Sequence, residues 1–270
     1  MAPPFRTVTD SLGRSLTIST APQRIISLCP SQTETLFALG LEGRIVGRTR
    51  YCIHPAEKVA AVPVVGGTKK IDHPLIAQLE PDLIIAQMEE NTPEDVEQLS
   101  SVAPVYVTRV EDYASALDSI LRLGEITGTQ EVARQWVEKI EAAFATLPRS
   151  SLPLRVLYLI WRKPYMAAGA STYIHGLLTR LGWENIAATL PSRYPTLTDP
   201  AALAPDLVLL SDEPYPFTEK HFPEIQQLWP LAHLRRVRGD YFSWYGVRMV
   251  EAAHYLRPLQ AEVAALFSGS

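Results

Sequence analysis

Short apolar runs separated by helical patterns recur along most of the chain. Runs rich in β-branched residues lie at positions 24–28, 44–48, 63–67, 83–87 and 105–108. The first run is followed by the helical pattern TETLFALG, for which Ser31 or Thr33 is a suitable N-cap. Strands that alternate with helices are typical of a parallel sheet buried on both faces. We therefore predict an α/β fold.

Two segments depart from this alternation. Residues 6–19 alternate apolar and polar positions on both sides of Asp10-Ser11-Leu12-Gly13, which predicts a β-hairpin. From Tyr113 to Leu147 the pattern is helical, and we expect breaks near Gly124 and Gly128. The second helical piece would span roughly 28 Å at about 1.5 Å per residue. A helix of that length can join two lobes.

The second half of the chain repeats the pattern of the first. The matching pairs are RIISL at 24–28 with RVLYL at 155–159, LFALGLEGRIVG at 36–47 with LLTRLGWENIAA at 177–188, and LEPDLIIA at 79–86 with LAPDLVLL at 203–210. The three matches fall in the same order in each half, which indicates two lobes of similar topology. Ligands of open α/β sheets bind outside the carboxyl ends of the strands, so we expect a binding cleft there.

Composition narrows the classes of function. The formal net charge is -4 and the charges are interspersed, so no basic stripe suited to nucleic acid is present. No apolar run reaches the length of about 18 residues that a membrane-spanning helix needs. The N-terminus MAPPFRTVTD lacks the features of a signal peptide, which predicts a cytoplasmic location for the chain as given; a trimmed mature chain would be periplasmic or extracellular. We expect Cys29 and Cys52 to be thiols.

Three segments make the chain similar to a known family. RIISLCPSQTETLFALGLEGRIVG resembles the first strand–helix–strand unit of the class III solute-binding proteins, or helical-backbone metal receptors. LIAQLEPDLIIA resembles the most recognisable segment of that family, and EVARQWVEKIEAAFATLP lies where the family has its interlobe helix. The family includes the cobalamin-binding and ferric-siderophore-binding components of ABC importers. The resemblance extends from about Arg6 to the final helix.

The resemblance implies two Rossmann-like lobes with mostly parallel sheets joined by one long helix. We assign residues 1–127 to the N-terminal lobe, 128–147 to the interlobe helix and 148–270 to the C-terminal lobe. It also implies a non-enzymatic monomer that needs no cofactor and no metal ion of its own. The expected ligand is a small-molecule metal chelate, either a corrinoid such as cobalamin, a haem or a ferric siderophore, held in the cleft between the lobes.

The chain departs from the family at the positions where importing members carry a permease-docking acid on each lobe. Those positions hold Pro74 and Thr198. Asp72 lies two residues before Pro74 and Asp199 directly follows Thr198, so these aspartates could take the same role. The resemblance therefore implies an ABC permease as a possible partner. It does not say which acidic residues would dock onto that permease.

The stretch RTRYCIHP, residues 48–55, allows four interpretations. Cys52 and His54, with His73 or His221, are candidate metal ligands, but a zinc site needs about four ligands. Cys52 and His54 are also a candidate nucleophile and base. The third alternative is structural, a turn fixed by His54 and Pro55. We favour the fourth, a ligand-facing loop in which Tyr51 stacks on a flat chelate and Arg50 meets its carboxylates or phosphate.

Aromatic residues cluster in the loops that follow predicted strands of the second half. They are Trp161, Tyr165, Tyr194, Tyr215, Phe217, Trp244 and Tyr245. Large rings on rigid loops suit a bulky and partly flat ligand, because each contributes much contact area for few rotamers. The alternative for each ring is a structural role at an aromatic corner.

Four charged residues complete the set of predicted ligand contacts. In GGTKK, two glycines permit close backbone approach, and Lys69, or Lys70 in its place, can meet an anionic group. Glu89 and Glu90 follow the strand at 83–87, where they suit iron or the amide donors of a corrinoid. Arg248 is predicted either to contact an anion or to form a surface ion pair. The alternative function is a metal-dependent enzyme, or a direct metal-ion binder, that uses Cys52, His54 and Glu89 or Glu90.

Overall fold

The computed structural model describes residues 4–268. The first element of the described residues is the predicted hairpin. Strand β1 (Phe5–Thr9) pairs antiparallel with β2 (Ser15–Ser19). Asp10 closes the turn because its carboxylate accepts the backbone N–H groups of Leu12 at 3.0 Å and Arg14 at 2.9 Å. Gly13 takes the left-handed conformation, with φ of 80°, that glycine adopts without steric cost.

Four parallel strands form the first large sheet. They are β3 (Ile25–Ser27), β4 (Ile45–Arg48), β5 (Leu83–Gln87) and β6 (Val105–Thr108). Their order is β4-β3-β5-β6, and every residue of β3, β5 and β6 is buried. Apolar side chains from these strands pack with Val65, Ile76 and Leu99 in one core cluster. The predicted parallel sheet is confirmed.

The run PVVGG does not form a strand, contrary to expectation. Two of its residues make isolated bridges, Val64 to Arg48 and Gly66 to Ile71, and the Pro63 carbonyl accepts the Arg48 N–H at 3.0 Å. Proline has no N–H for a ladder, and Gly66 has φ of 107°. A Cβ at Gly66 would lie 2.4 Å from the Lys70 carbonyl oxygen, so glycine is required for this tight turn.

Short helices connect the strands of this sheet. They are α1 (Pro30–Ala38), α2 (Ala56–Val59), α3 (His73–Gln78) and α4 (Pro93–Leu99). Side chains cap two of them, since Asp72 accepts the N–H of Leu75 and Thr92 that of Asp95, both at 3.1 Å. Proline stands in the first turn of α1, α3 and α4, where a backbone N–H has no helical partner.

Two helices follow, α5 (Tyr113–Thr127) and α6 (Gln130–Ala145), and the chain breaks only between them. Gly128 makes the break with φ of 76°. The predicted break near Gly124 is wrong, since α5 continues through that residue. A Cβ at Gly124 would lie 2.4 Å from the Ala133 Cβ, so this glycine allows α5 and α6 to pack closely.

A second mixed sheet follows α6. Its strands are β7 (Arg155–Trp161), β8 (Met166–Ala167), β9 (Glu184–Asn185), β10 (Leu207–Ser211) and β11 (His233–Val237). The order is β11-β10-β7-β8 with β9 also on β7, and only the pairing of β8 is antiparallel. The accompanying helices are α7 (Tyr173–Arg180), α8 (Phe222–Leu228), α9 (Asp240–Ser243) and α10 (Met249–Phe267).

The internal repeat extends to strand register and hydrogen bonding. Ile25 pairs with Leu83 in the first sheet, and Val156 pairs with Leu207 in the second, as the matched segments require. Asp82 accepts the N–H of Arg24 at 2.9 Å, and Asp206 accepts the N–H of Arg155 at 2.7 Å. The Pro-Asp-Leu of each half therefore fixes the start of its central strand pair in the same way.

The described chain divides into two compact units. The first unit takes the chain up to Val110, Ser115–Glu141 and Tyr245–Arg248. The second takes Glu111–Ala114, Ala142–Trp244 and the chain from Met249 onward. The division falls within α6, after Glu141. None of the helices in residues 4–268 combines the length and apolarity that crossing a bilayer takes.

Candidate functional site

Arg50 and Tyr51 lie exposed on the loop that follows β4 in the first unit. The side chain of Tyr51 is 55% exposed, and the Arg50 N–H donates to the Gly66 carbonyl at 2.8 Å. A Cβ at Gly67 would lie 3.4 Å from the Tyr51 ring and 3.8 Å from the Arg50 Nε. Gly67 therefore leaves room beside both side chains. The structure brings an exposed ring and a guanidinium together at the carboxyl edge of the first sheet.

Cys52 is closed off inside the first unit. Its thiol accepts a hydrogen bond from the Thr33 hydroxyl at 3.0 Å and lies 3.1 Å from the Thr49 hydroxyl. Burial raises the pKa of Cys52, and it raises the pKa of Cys29 to about 12. The predicted role of Cys52 as a ligand contact is wrong, and so is its role as a nucleophile, because a buried thiol resists conversion to the reactive thiolate.

The histidines considered as metal ligands have other contacts. His54 is half-buried and precedes a cis peptide bond to Pro55. His73 Nε2 lies 2.8 Å from the Asp95 carboxylate, and His221 Nε2 lies 3.2 Å from the Tyr215 hydroxyl. Within residues 4–268, no three His, Cys, Asp or Glu side chains are grouped so that they could hold a metal ion.

Lys69, Glu89 and Glu90 meet at the carboxyl end of β5. The Lys69 ammonium donates to the Glu89 carbonyl oxygen at 2.6 Å. Gln87, the last residue of β5, accepts the N–H groups of Glu89 at 2.6 Å and Glu90 at 2.8 Å through its side-chain oxygen. Burial raises the pKa of the Glu90 carboxyl, although a hydrogen bond from Thr68 and the charge of Lys69 oppose that shift.

Three aromatic residues of the second unit, Trp161, Tyr165 and Tyr215, lie at or after the ends of strands, and Trp161 is the most exposed of them. Trp161 is 41% exposed, and its ring meets Tyr215 edge-on at 5.7 Å between centroids. The Tyr165 hydroxyl donates to Glu224, whose carboxylate also accepts the Arg162 Nε–H at 3.2 Å. The half-buried tyrosines are thus anchored in a polar network, and the exposed ring of Trp161 packs against Tyr215.

Three predicted contacts are placed differently from expectation. Phe217 lies on the loop after β10, but its ring is fully buried in the apolar core, so the predicted presentation of this ring to a ligand is wrong. Tyr245 is buried in the first unit, and burial raises the pKa of its hydroxyl. Arg248 is only 4% exposed and makes a bidentate ion pair with Glu34 at 2.7 and 2.8 Å, so neither a surface ion pair nor a free anion contact describes it.

The two remaining aromatic residues are half-buried in loops of the second unit. The Tyr194 N–H lies 3.3 Å from the Ser192 hydroxyl, in the turn that precedes Pro195. Trp244 follows α9, and its indole makes a hydrogen bond with the carboxyl of Glu213. Neither position tests whether these rings contact a ligand, so their roles stay predictions.

Glu213 is a residue at this edge that the sequence analysis missed. It follows β10, and its carboxyl accepts a hydrogen bond from the Ser243 hydroxyl at 2.8 Å. Burial raises its pKa, and hydrogen bonds from Ser243 and Trp244 oppose that shift. The internal repeat is the signal that could have found it, because the match of 79–86 with 203–210 aligns Glu213 with Glu89.

Comparison with known proteins identifies relatives along most of the chain. The family model described as periplasmic binding protein matches residues 25–214. The vitamin B12-binding protein of Vibrio cholerae is 25% identical over 228 residues, which cover 81% of this chain and 79% of the relative. An ABC transporter substrate-binding lipoprotein of Bacillus subtilis is 26% identical over 219 residues, covering 76% and 69%.

A solved structure shares the fold. The periplasmic haem-binding protein HutB of Vibrio cholerae superimposes with a TM-score of 0.73 at 22% identity, over 88% of this chain and 98% of that chain. The predicted cytoplasmic location finds no support, because the family is described as periplasmic and one relative is a lipoprotein. The predicted enzymatic alternative is likewise overturned. The chain belongs to the periplasmic binding protein family, whose members bind solutes and are not enzymes.

Proposed function

We propose that this protein binds a metal-chelate small molecule, with a corrinoid such as cobalamin as the first choice over a haem or a ferric siderophore. The exposed rings of Tyr51 and Trp161 carry the proposal, because they lie at the carboxyl edges of sheets built from equivalent strands. Exposed rings on anchored loops offer flat contact area with little loss of rotamer freedom. Relatives that bind vitamin B12 and haem support the same class of ligand.

The proposal includes the lobes and the setting in which the protein acts. We assign residues 1–127 to an N-terminal lobe, 128–147 to an interlobe helix and 148–270 to a C-terminal lobe. The protein acts as a monomer outside the cytoplasm. The periplasmic description of the family supports this location.

Titration with cyanocobalamin, haemin and a ferric catecholate siderophore tests the proposal by tryptophan fluorescence and calorimetry. We expect at least one chelate to bind with micromolar affinity or better. Trp161→Ala and Tyr51→Ala should each weaken that affinity about tenfold, equivalent to about 1.4 kcal/mol. Phe5→Ala is the matched control, since Phe5 is a 65% exposed ring on the hairpin. Binding of none of the three at tens of micromolar would contradict the proposal.

We further propose that Asp72 and Asp199 dock an ABC permease. Both are exposed, each stands at the N-cap of a short helical turn, and each turn has a proline in its first residues. An ABC transporter lipoprotein among the relatives supports this partner. A double variant, Asp72→Ala with Asp199→Ala, should keep its chelate affinity and lose stimulation of ATP hydrolysis by the permease in liposomes. Undiminished stimulation would show that docking uses other residues.

A further inference from the structure

Glu213 holds the position in the second sheet that Glu89 holds in the first. β5 and β10 are equivalent strands, each pairing in parallel with the first strand of its repeat. Gln87 accepts the Glu89 N–H at 2.6 Å, and Ser211, its counterpart, lies 3.3 Å from the Glu213 N–H. The repeat thus places an acidic side chain where open α/β sheets bind their ligands.

The carboxyl of Glu213 has hydrogen-bond donors but no cationic partner among the described residues. The Ser243 hydroxyl donates to Oε1 at 2.8 Å, and the Trp244 indole donates to the same carboxyl. Gly239 allows this placement, since a Cβ there would lie 2.3 Å from the Glu213 Cγ. The carboxyl therefore lies against backbone and neutral donors, and a carboxylate has lone pairs beyond the two that these donors use.

The charged groups nearest to Glu213 are also acidic. Asp212 of the same loop and Asp240 of α9 both raise its pKa, after the larger effect of burial. Each of these aspartates has its own arginine, Arg236 at 3.6 Å from Asp212 and Arg238 at 2.7 Å from Asp240. The arginines are thus engaged with the flanking acids, and within residues 4–268 no ion pair neutralises Glu213 itself.

We propose that Glu213 makes the protein select chelates that present carboxamides and reject those that present carboxylates. This inference rests on the proposed function and narrows its ligand to an amide-bearing corrinoid. A partly buried carboxyl without a counter-ion accepts hydrogen bonds from amide N–H groups, and when protonated it also donates to an amide carbonyl. A ligand carboxylate beside it would place two like charges in a poorly solvated site.

Two corrinoids with the same ring separate these cases by calorimetry at pH 7.5. Dicyanocobinamide carries carboxamides, and dicyanocobyrinic acid carries free carboxylates at the corresponding positions. We expect the native protein to bind the amide form at least tenfold more tightly. Glu213→Gln, which keeps the shape and removes the charge, should narrow that ratio at least fivefold, mainly by strengthening the binding of the acid.

Glu184→Gln is the matched control, because Glu184 is exposed and pairs with Arg155, the first residue of β7. It therefore lies at the amino ends of the strands of this sheet, whereas Glu213 lies at the carboxyl ends. It makes the same change in net charge and should leave the ratio unaltered. As pH falls from 8 to 5.5, protonation of Glu213 should strengthen acid binding more in the native protein than in Glu213→Gln. The ligand's own titration is common to both proteins and cancels in that comparison.

Equal affinity of the native protein for the two corrinoids would overturn the inference without the need for any variant. An unchanged ratio in folded Glu213→Gln would overturn it as well, and both results leave the binding function intact. Failure of both corrinoids to bind, with tight binding of haemin, would reject the corrinoid and keep the chelate-binding function. Failure of every chelate would reject the proposed function and this inference together.

Discussion

At the scale of single residues, burial separates side chains that look alike in the sequence. Tyr51 and Cys52 are neighbours, yet the ring is 55% exposed and the thiol is fully buried. Arg50 and Arg248 are both arginines in loops, but Arg50 is exposed while Arg248 is buried against Glu34. Exposure decides which of these side chains is available to a ligand and which one supports the fold.

The Arg248 and Glu34 pair should contribute strongly to stability. Arg248→Ala leaves the Glu34 carboxylate without its bidentate partner, and loss of one member of a buried pair costs about 3–5 kcal/mol. Urea unfolding measures this change in the free energy of unfolding. Arg134→Ala is the control, because Arg134 and Glu131 form a pair in which both side chains are more than 60% exposed. We expect the control to cost about 0.5 kcal/mol or less, and similar losses for both variants would refute the prediction.

At the scale of elements, the turn before a central strand also fixes the start of the strand beside it. The turns are those before β5 and β10, and each contains an aspartate. Asp82 accepts the N–H groups of Gln23 at 2.7 Å and Arg24 at 2.9 Å, where β3 begins. Asp206 accepts the N–H of Arg155, the first residue of β7. An aspartate at the equivalent position, Asp82 or Asp206, therefore ties the start of the first strand of each repeat to the start of the strand that pairs with it.

Removing either aspartate should destabilise its own half. Asp82→Ala leaves two backbone N–H groups without their acceptor and Asp206→Ala leaves one, at a net cost of about 0.5–1.5 kcal/mol for each hydrogen bond. Amide hydrogen exchange should show faster exchange in β3 and β5 for the first variant, and in β7 and β10 for the second. Glu97→Ala, at an exposed position of α4, is the control. Uniform acceleration across both sheets in either variant would contradict the local role of the aspartate.

At the scale of the whole molecule, the chain builds one sheet topology twice. The order β4-β3-β5-β6 in the first sheet corresponds to β9-β7-β10-β11 in the second, and β8 is an addition on β7. Solute-binding activity follows from family membership, whereas the role of the strand-end loops in the choice of ligand is a prediction. Both cysteines lie beneath such loops in the first unit and are buried.

The two thiols should therefore report global unfolding. A thiol reagent such as 5,5′-dithiobis(2-nitrobenzoate) at pH 8 should leave the native protein unmodified, since Cys29 and Cys52 are buried with raised pKa values. In guanidinium chloride both should react within minutes. Cys52→Ser, still able to bond with Thr33 and Thr49, is the control and should release one equivalent of thiolate instead of two. Rapid reaction of the native protein would show that the loops open readily.

Hydrophobic periodicity along the chain was sufficient to predict the hairpin, the first parallel sheet, the long helices and the repeat. These features depend on local pattern, because alternation and helical spacing are set by which face of each element is buried. The repeat extends to the register seen in the structure, where Val156 pairs with Leu207 as Ile25 pairs with Leu83. The exceptions, PVVGG and the helix through Gly124, depend on close contacts that pattern does not record.

Tertiary structure alone decided which loop side chains face solvent. Glu34 and Arg248 are 214 positions apart, so no local signal could pair them. Phe217 lies in a loop by sequence, but the core around β10 encloses its ring, while Trp161 stays exposed at the end of β7. The physical reason is that burial of an irregular segment is set by the distant elements packed against it. Sequence periodicity reports only the faces of regular elements.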